Sequence, residues 1–461
     1  MKKLIRFGIS LGALALAAGC ATDEKTCLPP DADKAELATR YTFPYSETLW
    51  YLHYHKDESK VPVYTLPQFQ SKSVKEWEQT ERPRILAQFK ECLYGKMPPK
   101  ADHVELKLLA QKDDALDGLA IRKEYRIYCR MDNGRKFNFD MMVYVPKNAK
   151  TPPPVFVGLN FSGNQANTPE LDVRMTRGMY RGRTTGKFMP LTSRARFLDS
   201  WNFKETVKRG YAVATACYWE VCPDYVTGLK ISPFAMFYPE SDLRMDYEIP
   251  KQESKAGKWY RPVGMIGAWS WGLSCMLDAL EQEPLVDAGR AAVIGHSRLG
   301  KAALWAGACD QRFKLVISNN SGCGGAALTR RLFGETMEIT YWEQRNWYCG
   351  KLAAYCTHVE ELPVDQHMLL ALVAPRALYV ASATQDLNAD PKGEFLSAVE
   401  ATKIWHLYGM KGLEQDEMPK PDTSVGDRVG YHIRTGKHAI TGKDWEHYYN
   451  FADRIFGVKK P

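Results

Sequence analysis

The chain has 461 residues, of which 45% are hydrophobic, 25% charged and 12% aromatic, a composition that excludes wholesale disorder, collagen and coiled coil. Its formal charge of +8 falls to about +5 once Lys2, Lys3 and Arg6 are set aside with a leader, too small and scattered a surplus to argue for nucleic acid. By length it admits up to three average domains, or one large α/β unit behind an N-terminal extension.

Residues 1–19 read as an export signal, with Lys2, Lys3 and Arg6 as the basic segment and an apolar stretch over 7–18 too short to span a bilayer. The stretch ends in Leu16-Ala17-Ala18-Gly19-Cys20, which resembles a bacterial lipobox, although Ala17 stands where that pattern favours leucine. The expectation is an exported lipoprotein, held by an acyl chain on Cys20 in the periplasm or at the outer membrane or cell surface. An ordinary secretory signal is the alternative. Setting Cys20 aside from eleven cysteines leaves ten, in a compartment that permits disulfides. Cys217, Cys275 and Cys309 sit in apolar runs that suit buried free thiols. No cysteine or histidine spacing matches a zinc site, so no metal is expected.

Residues 20–60 read as a tether followed by a wrap rich in tyrosine (Tyr41, Tyr45, Tyr51, Tyr54). Pro83 then opens a helix whose Ile85, Leu86, Phe89, Cys92 and Leu93 share one face. Strands follow at 104–110, 119–129 and 137–145, the last alternating in period two, which predicts an antiparallel opening. Beyond Pro152-Pro153-Pro154 the strands become short unbroken apolar runs at 155–159, 211–217, 291–294, 315–318 and 377–381, the mark of parallel strands buried on both faces. Helical stretches at 203–209, 267–281, 299–308, 394–407 and 444–455 alternate with them. The reading is an α/β fold of hydrolase type, a three-layer sandwich with a mostly parallel sheet and antiparallel first strands, forming a single catalytic domain over 61–461.

The most informative segment is Gly295-His296-Ser297-Arg298-Leu299-Gly300-Lys301, where an apolar strand ends, a serine follows and a helix begins. That is the pattern of a nucleophile elbow, whose tight turn needs glycines and presents the serine oxygen above the sheet. The spacing is Gly-x-Ser-x-x-Gly, one residue longer than the common form, and by itself it also fits an inert strand-to-helix corner.

Other strings agree with it. Gly158-Leu159-Asn160-Phe161-Ser162-Gly163-Asn164, Ser321-Gly322-Cys323-Gly324-Gly325-Ala326-Ala327, Arg330-Arg331, Gly334-Glu335-Thr336, Pro363-Val364-Asp365-Gln366-His367, Ala374-Pro375-Arg376 and Ala389-Asp390-Pro391-Lys392-Gly393-Glu394-Phe395 occur in order. Together with Gly-x-Ser-Arg-x-Gly-Lys the chain resembles the glucuronoyl esterases, family fifteen of the carbohydrate esterases, over roughly residues 80–458. The resemblance implies a serine esterase, free of cofactors, acting on uronic acid esters of plant cell-wall polysaccharide.

In the hydrolase fold the acid and histidine follow the serine in chain order. Asp386 and Asp390 both follow the run 377–381. Asp390 stands directly before Pro391 and a helix, as an N-cap does, which leaves Asp386 to orient a histidine. Of the later histidines, His406 and His447 fall in helical patterns, while His432 and His438 fall in the loop before the last helix. His438 matches the family's catalytic histidine, and a water-exposed loop position is the simpler assignment for His432.

Fungal members carry cysteines just before the serine and just after the histidine, which form a disulfide; His296 and Ala439 stand there, so that bridge is excluded. Their acid precedes the glycine-rich string, where this chain has Asn320. The resemblance further implies that Arg298 serves the oxyanion and that Lys301 and Glu335 bind sugar hydroxyls. Trp347 is a candidate stacking platform, with a core position as its alternative. Asn388 stands where many bacterial members have a tryptophan at the rim of the pocket. The expected activity is therefore 4-O-methyl-glucuronoyl ester hydrolysis, with methyl-esterified galacturonate in pectin, an acetyl xylan esterase and a non-catalytic carbohydrate-binding lipoprotein as alternatives.

Overall fold

A computed structural model describes residues 56–459 except 182–186, 226 and 245–260. The export signal, Cys20 and the four tyrosines of the N-terminal wrap lie outside the described residues. Strands β1 (His103–Asp114), β2 (Ala120–Arg130) and β3 (Lys136–Pro146) form an antiparallel meander, continued by β4 (Pro154–Asn160). A separate hairpin pairs β5 (Met179–Arg181) with β6 (Phe188–Pro190). The main sheet resumes with β7 (Ala212–Cys217), β8 (Asp287–His296), β9 (Leu315–Asn319), β10 (Ala377–Ala383), β11 (Val425–Gly426) and β12 (Val429–Arg434). Its ten strands run in the order β1-β2-β3-β7-β4-β8-β9-β10-β12-β11. Pairing is antiparallel from β1 to β7, parallel from β7 to β12, and antiparallel again at the short edge strand β11.

Period-two alternation splits each central strand between two cores. Val155, Val157, Ala291 and Val293 face one side of the sheet, while Phe156, Ala292 and Ile294 face the other. The first side is covered by helices α1 (Arg82–Cys92), α2 (Met265–Leu280) and α3 (Arg298–Cys309), together with α4 (Pro391–Leu407). Every residue of α2 is buried, which explains its apolar character on all faces. The second side is covered by the short helix Phe203–Lys208 and by α5 (Gly442–Phe456), whose Trp445, Tyr448, Tyr449 and Phe451 pack on Phe156 and Tyr379.

The structure departs from the sequence reading at 429–434, expected to be loop and found as β12 beside β10. Gly430 looks like a turn residue, but a Cβ there would lie 2.5 Å from the Tyr379 ring. The glycine serves close packing inside a strand. Nine described cysteines are free thiols, with Cys217 and Cys275 buried and Cys309 half-buried. Among the described residues no helix is long and apolar enough to cross a membrane.

Candidate active site

Parallel register aligns the carboxyl ends of four neighbouring strands, so that His296, Asn319, Ala381 and His432 lie in one row. Directly beyond this row stand Ser297, Asn320, Asp386 and His438, on four different loops. Open α/β sheets place their chemistry at this edge.

Ser297 occupies the turn between β8 and α3 with φ of 57° and ψ of −129°, a conformation that side chains rarely adopt. Its backbone is held there, with the amide donating to Asn319 O at 2.9 Å and the carbonyl accepting from Gly300 N at 2.8 Å. A Cβ on Gly295 would sit 1.9 Å from Leu299 O, so the turn closes only over glycine.

His438 Nδ1 lies 2.5 Å from Asp386 Oδ2, which also accepts from Asn320 Nδ2 at 2.8 Å. Burial pushes the Asp386 carboxyl up, but the hydrogen bonds from His438 and Asn320 outweigh it and hold it below the ordinary range. An ionised carboxylate only accepts, so Nδ1 carries the proton and Nε2 presents a lone pair. Neither Nε2 nor Ser297 Oγ has a hydrogen bond among the described residues. The His438 side chain is 44% exposed, whereas Asp386 beneath it is buried. Asp390 takes the role its sequence implied, capping α4 through Gly393 N at 3.0 Å and pairing with Arg331 at 2.9 Å.

The His296 ring lies 4.5 Å from that of His438, centroid to centroid. Burial and the neighbouring His438 pull its pKa down to about 3, so it packs against His438 as a neutral ring. Its Nδ1 meets Asn319 Oδ1 at 2.6 Å, and Asn319 Nδ2 in turn donates to Tyr448 Oη at 2.7 Å.

Arg298 donates to Asp224 Oδ2 and lies 4.6 Å over the Trp347 ring, whose Nε1 donates to Asp224 Oδ1 at 2.8 Å. Trp347 is 5% exposed, so its ring backs the arginine and forms wall. Lys301 is buried, with Nζ donating to Ser321 O at 2.5 Å; burial lowers its pKa and Glu335 opposes the change. The Glu335 amide donates to Asn388 O at 2.9 Å, which brings the two rim loops together. Asn388 Oδ1 is buried without a hydrogen-bond partner among the described residues.

His432 departs from its expected exposure: it is fully buried in β12, with Nε2 3.0 Å from Asp444 Oδ1 and Nδ1 3.0 Å from Tyr379 Oη. Its apolar neighbours Tyr431 and Ile433 were the legible sign of a strand. Sequence reasoning also missed Asp224, Asn319 and Glu394. Glu394 lies behind the acid loop, accepting from Ser382 Oγ at 2.6 Å and Gly322 N at 2.9 Å, and burial pushes its pKa up to about 8.

A family model described as "Glucuronyl esterase, fungi" matches residues 250–409. Carbohydrate esterase MZ0003, from an unknown prokaryotic organism, is 38% identical over 418 residues, covering 87% of this chain and 91% of its own. The solved glucuronoyl esterase from Solibacter usitatus is 38% identical with a TM-score of 0.77, over 87% of this chain and all of that one. A 4-O-methyl-glucuronoyl methylesterase of Hypocrea jecorina is 32% identical over 201 residues, 40% of this chain and 39% of its own.

Proposed function

Because this chain belongs to the glucuronoyl esterases, family fifteen of the carbohydrate esterases, we propose that Ser297, His438 and Asp386 are the triad with which it hydrolyses uronic acid esters. The chain is a carboxylic ester hydrolase with the α/β-hydrolase fold. The substrate on this reading is the 4-O-methyl-glucuronoyl ester of plant cell-wall polysaccharide, the bond for which the fungal relatives are named.

Ser297 Oγ attacks the ester carbonyl carbon while His438 Nε2 takes its proton, and Asp386 accepts the Nδ1 hydrogen and offsets the imidazolium charge. The Arg298 backbone N–H and guanidinium stabilise the oxyanion of the tetrahedral intermediate. Collapse expels the alcohol, which takes the proton back from His438. A water molecule then attacks the acyl-serine with His438 again as base, releasing the uronate. The observation that carries this reading is the 2.5 Å bond from His438 to an ionised Asp386, beside a serine on a strained elbow.

In the sugar site, Lys301 uses one donor on Ser321 and offers its others to hydroxyls, with Glu335 accepting. Trp347 supports Arg298 from behind, and Asn388 lines the rim. Asn388 in place of a stacking tryptophan favours a second substrate to be tested, the methyl-esterified galacturonate of pectin. Cys20 anchors the exported protein to a membrane by its acyl chain, and a Cys20→Ala chain should lose metabolic labelling by palmitate.

Purified Ser297→Ala should lose at least about 10³-fold in kcat on benzyl glucuronate while its melting temperature holds. Full activity in that variant refutes the triad. Parallel rates on methyl-esterified galacturonan choose between the uronates. A preference for p-nitrophenyl acetate would make it an acetyl esterase, and glycan retention without cleavage a binding protein.

A further inference from the structure

We propose that Arg434 is a positioning residue that holds the His438 loop in register with Asp386, an inference that rests on reading His438 as the catalytic base. The loop leaves β12 at Arg434 and enters α5 at Thr441, and neither its sequence nor its exposure would make it rigid. Arg434 is 5% exposed, and its guanidinium is spent almost wholly on this one loop. Nη2 donates to Lys437 O at 2.8 Å and to Ala439 O at 3.1 Å, the carbonyls immediately before and after His438. Nη1 donates to Thr435 O at 3.1 Å. With the neighbouring carbonyls turned onto the guanidinium, the His438 side chain is left on the outer side of the loop, where it meets Asp386.

A buried guanidinium needs a counter-charge, and Asp444 supplies it, with Oδ2 2.8 Å from Arg434 Nε. Asp444 sits in the first turn of α5 and closes a capping box with Thr441, so the ion pair joins the strand end to the helix start across the base of the loop. Asp444 also accepts from His432, and it lies 3.4 Å from Asn319 Nδ2, whose Oδ1 holds His296 against the His438 ring. Gly436 completes the clamp. Its φ is +138°, and a Cβ there would lie 2.4 Å from Arg434 Nη1, so only glycine admits the guanidinium. The same glycine ties the loop to the segment before Asp386, donating to Thr384 Oγ1 at 3.1 Å and accepting from Gln385 N at 2.8 Å.

Arginine suits this work because five donors in one rigid plane can hold several carbonyls and a carboxylate at once, which a lysine ammonium on a flexible stem cannot. The proposal therefore separates from a general stabilising role by its kinetic signature. In the full chain, Arg434→Lys should lower kcat on benzyl glucuronate roughly 10- to 100-fold with KM within about threefold, since small misplacements of a base cost rate more than binding. The melting temperature should change little. Arg434→Ala should lose more and recover at least severalfold on addition of millimolar guanidinium chloride. If Arg434→Ala does not fold, the lysine variant alone decides.

Wild-type kcat in folded Arg434→Lys overturns the proposal, as does a loss that vanishes when the variant is assayed well below its melting temperature. Ser297→Ala and His438→Ala are run beside it. If either keeps full activity, the triad itself is wrong; if both are inactive while Arg434→Lys is fully active, only the clamp is wrong.

Discussion

Two histidine–aspartate pairs stand on adjoining turns of one segment, and only one is open to chemistry. His432 and Asp444 are both fully buried, 3.0 Å apart, and the second ring nitrogen of His432 meets Tyr379. His438 and Asp386 are 2.5 Å apart, with the histidine 44% exposed and its Nε2 without a hydrogen bond among the described residues. The same two side-chain types thus serve structure in one place and are poised for proton transfer in the other. What separates them is whether the second ring nitrogen is already engaged.

Exchanging the roles by mutation is the strongest way to break this comparison. His438→Ala should lower kcat at least about 10³-fold with the melting temperature unchanged. His432→Ala should instead destabilise the fold by about 1–3 kcal/mol, because Tyr379 and Asp444 lose a buried partner, while kcat per folded molecule stays within about tenfold. Initial rates and denaturant melts on both variants check this, and a crossed result removes the distinction.

The carboxylates sharpen it further. Asp386→Asn should cost about 10²- to 10⁴-fold in kcat with little change in stability, because an amide no longer fixes the Nδ1 hydrogen. Asp444→Asn should cost stability first, by about 3 kcal/mol, because Arg434 is left buried with a weakened partner. Melts and rates measured together separate the two.

Asn320→Ala tests a smaller effect through pH. Its amide helps to hold the Asp386 pKa below the ordinary range, so the ionised acid persists as pH falls. That depression contributes stability above the unfolded carboxylate pKa, and the contribution disappears as pH falls through the folded value. Removing the amide should raise the Asp386 pKa and begin this acid loss of stability at higher pH. An unchanged acid denaturation profile argues against the assignment.

Glu394→Gln should change least. With a folded pKa of about 8, Glu394 is protonated at neutral pH and loses its relative stability as pH rises from its unfolded value towards 8. Glutamine, neutral at every pH, should match wild type near pH 5 and gain on it by pH 9 in thermal melts.

Much of this site was legible locally. The run into Gly295, the serine and the glycines around it require one another within a few residues, because the turn has no room for side chains. Asp390 before Pro391 was readable as a cap for the same reason, and its removal from contention pointed to Asp386. His432 was misjudged because a glycine beside it looked like a turn, and only the Tyr379 ring packed against Gly430 shows why the position must be small. Arg298 was singled out, but Asp224, which holds both it and Trp347, left no motif.

By itself, then, the sequence determined the alternation of strands and helices, the family resemblance and the identity of the elbow serine, since periodicity and turn sterics act between near neighbours. Which histidine meets which aspartate, that Trp347 lies under Arg298, and that one buried guanidinium ties down the His438 loop were decided by tertiary structure. Those outcomes depend on burial and on pairings between distant strand ends, which exist only once the sheet has set its strand order.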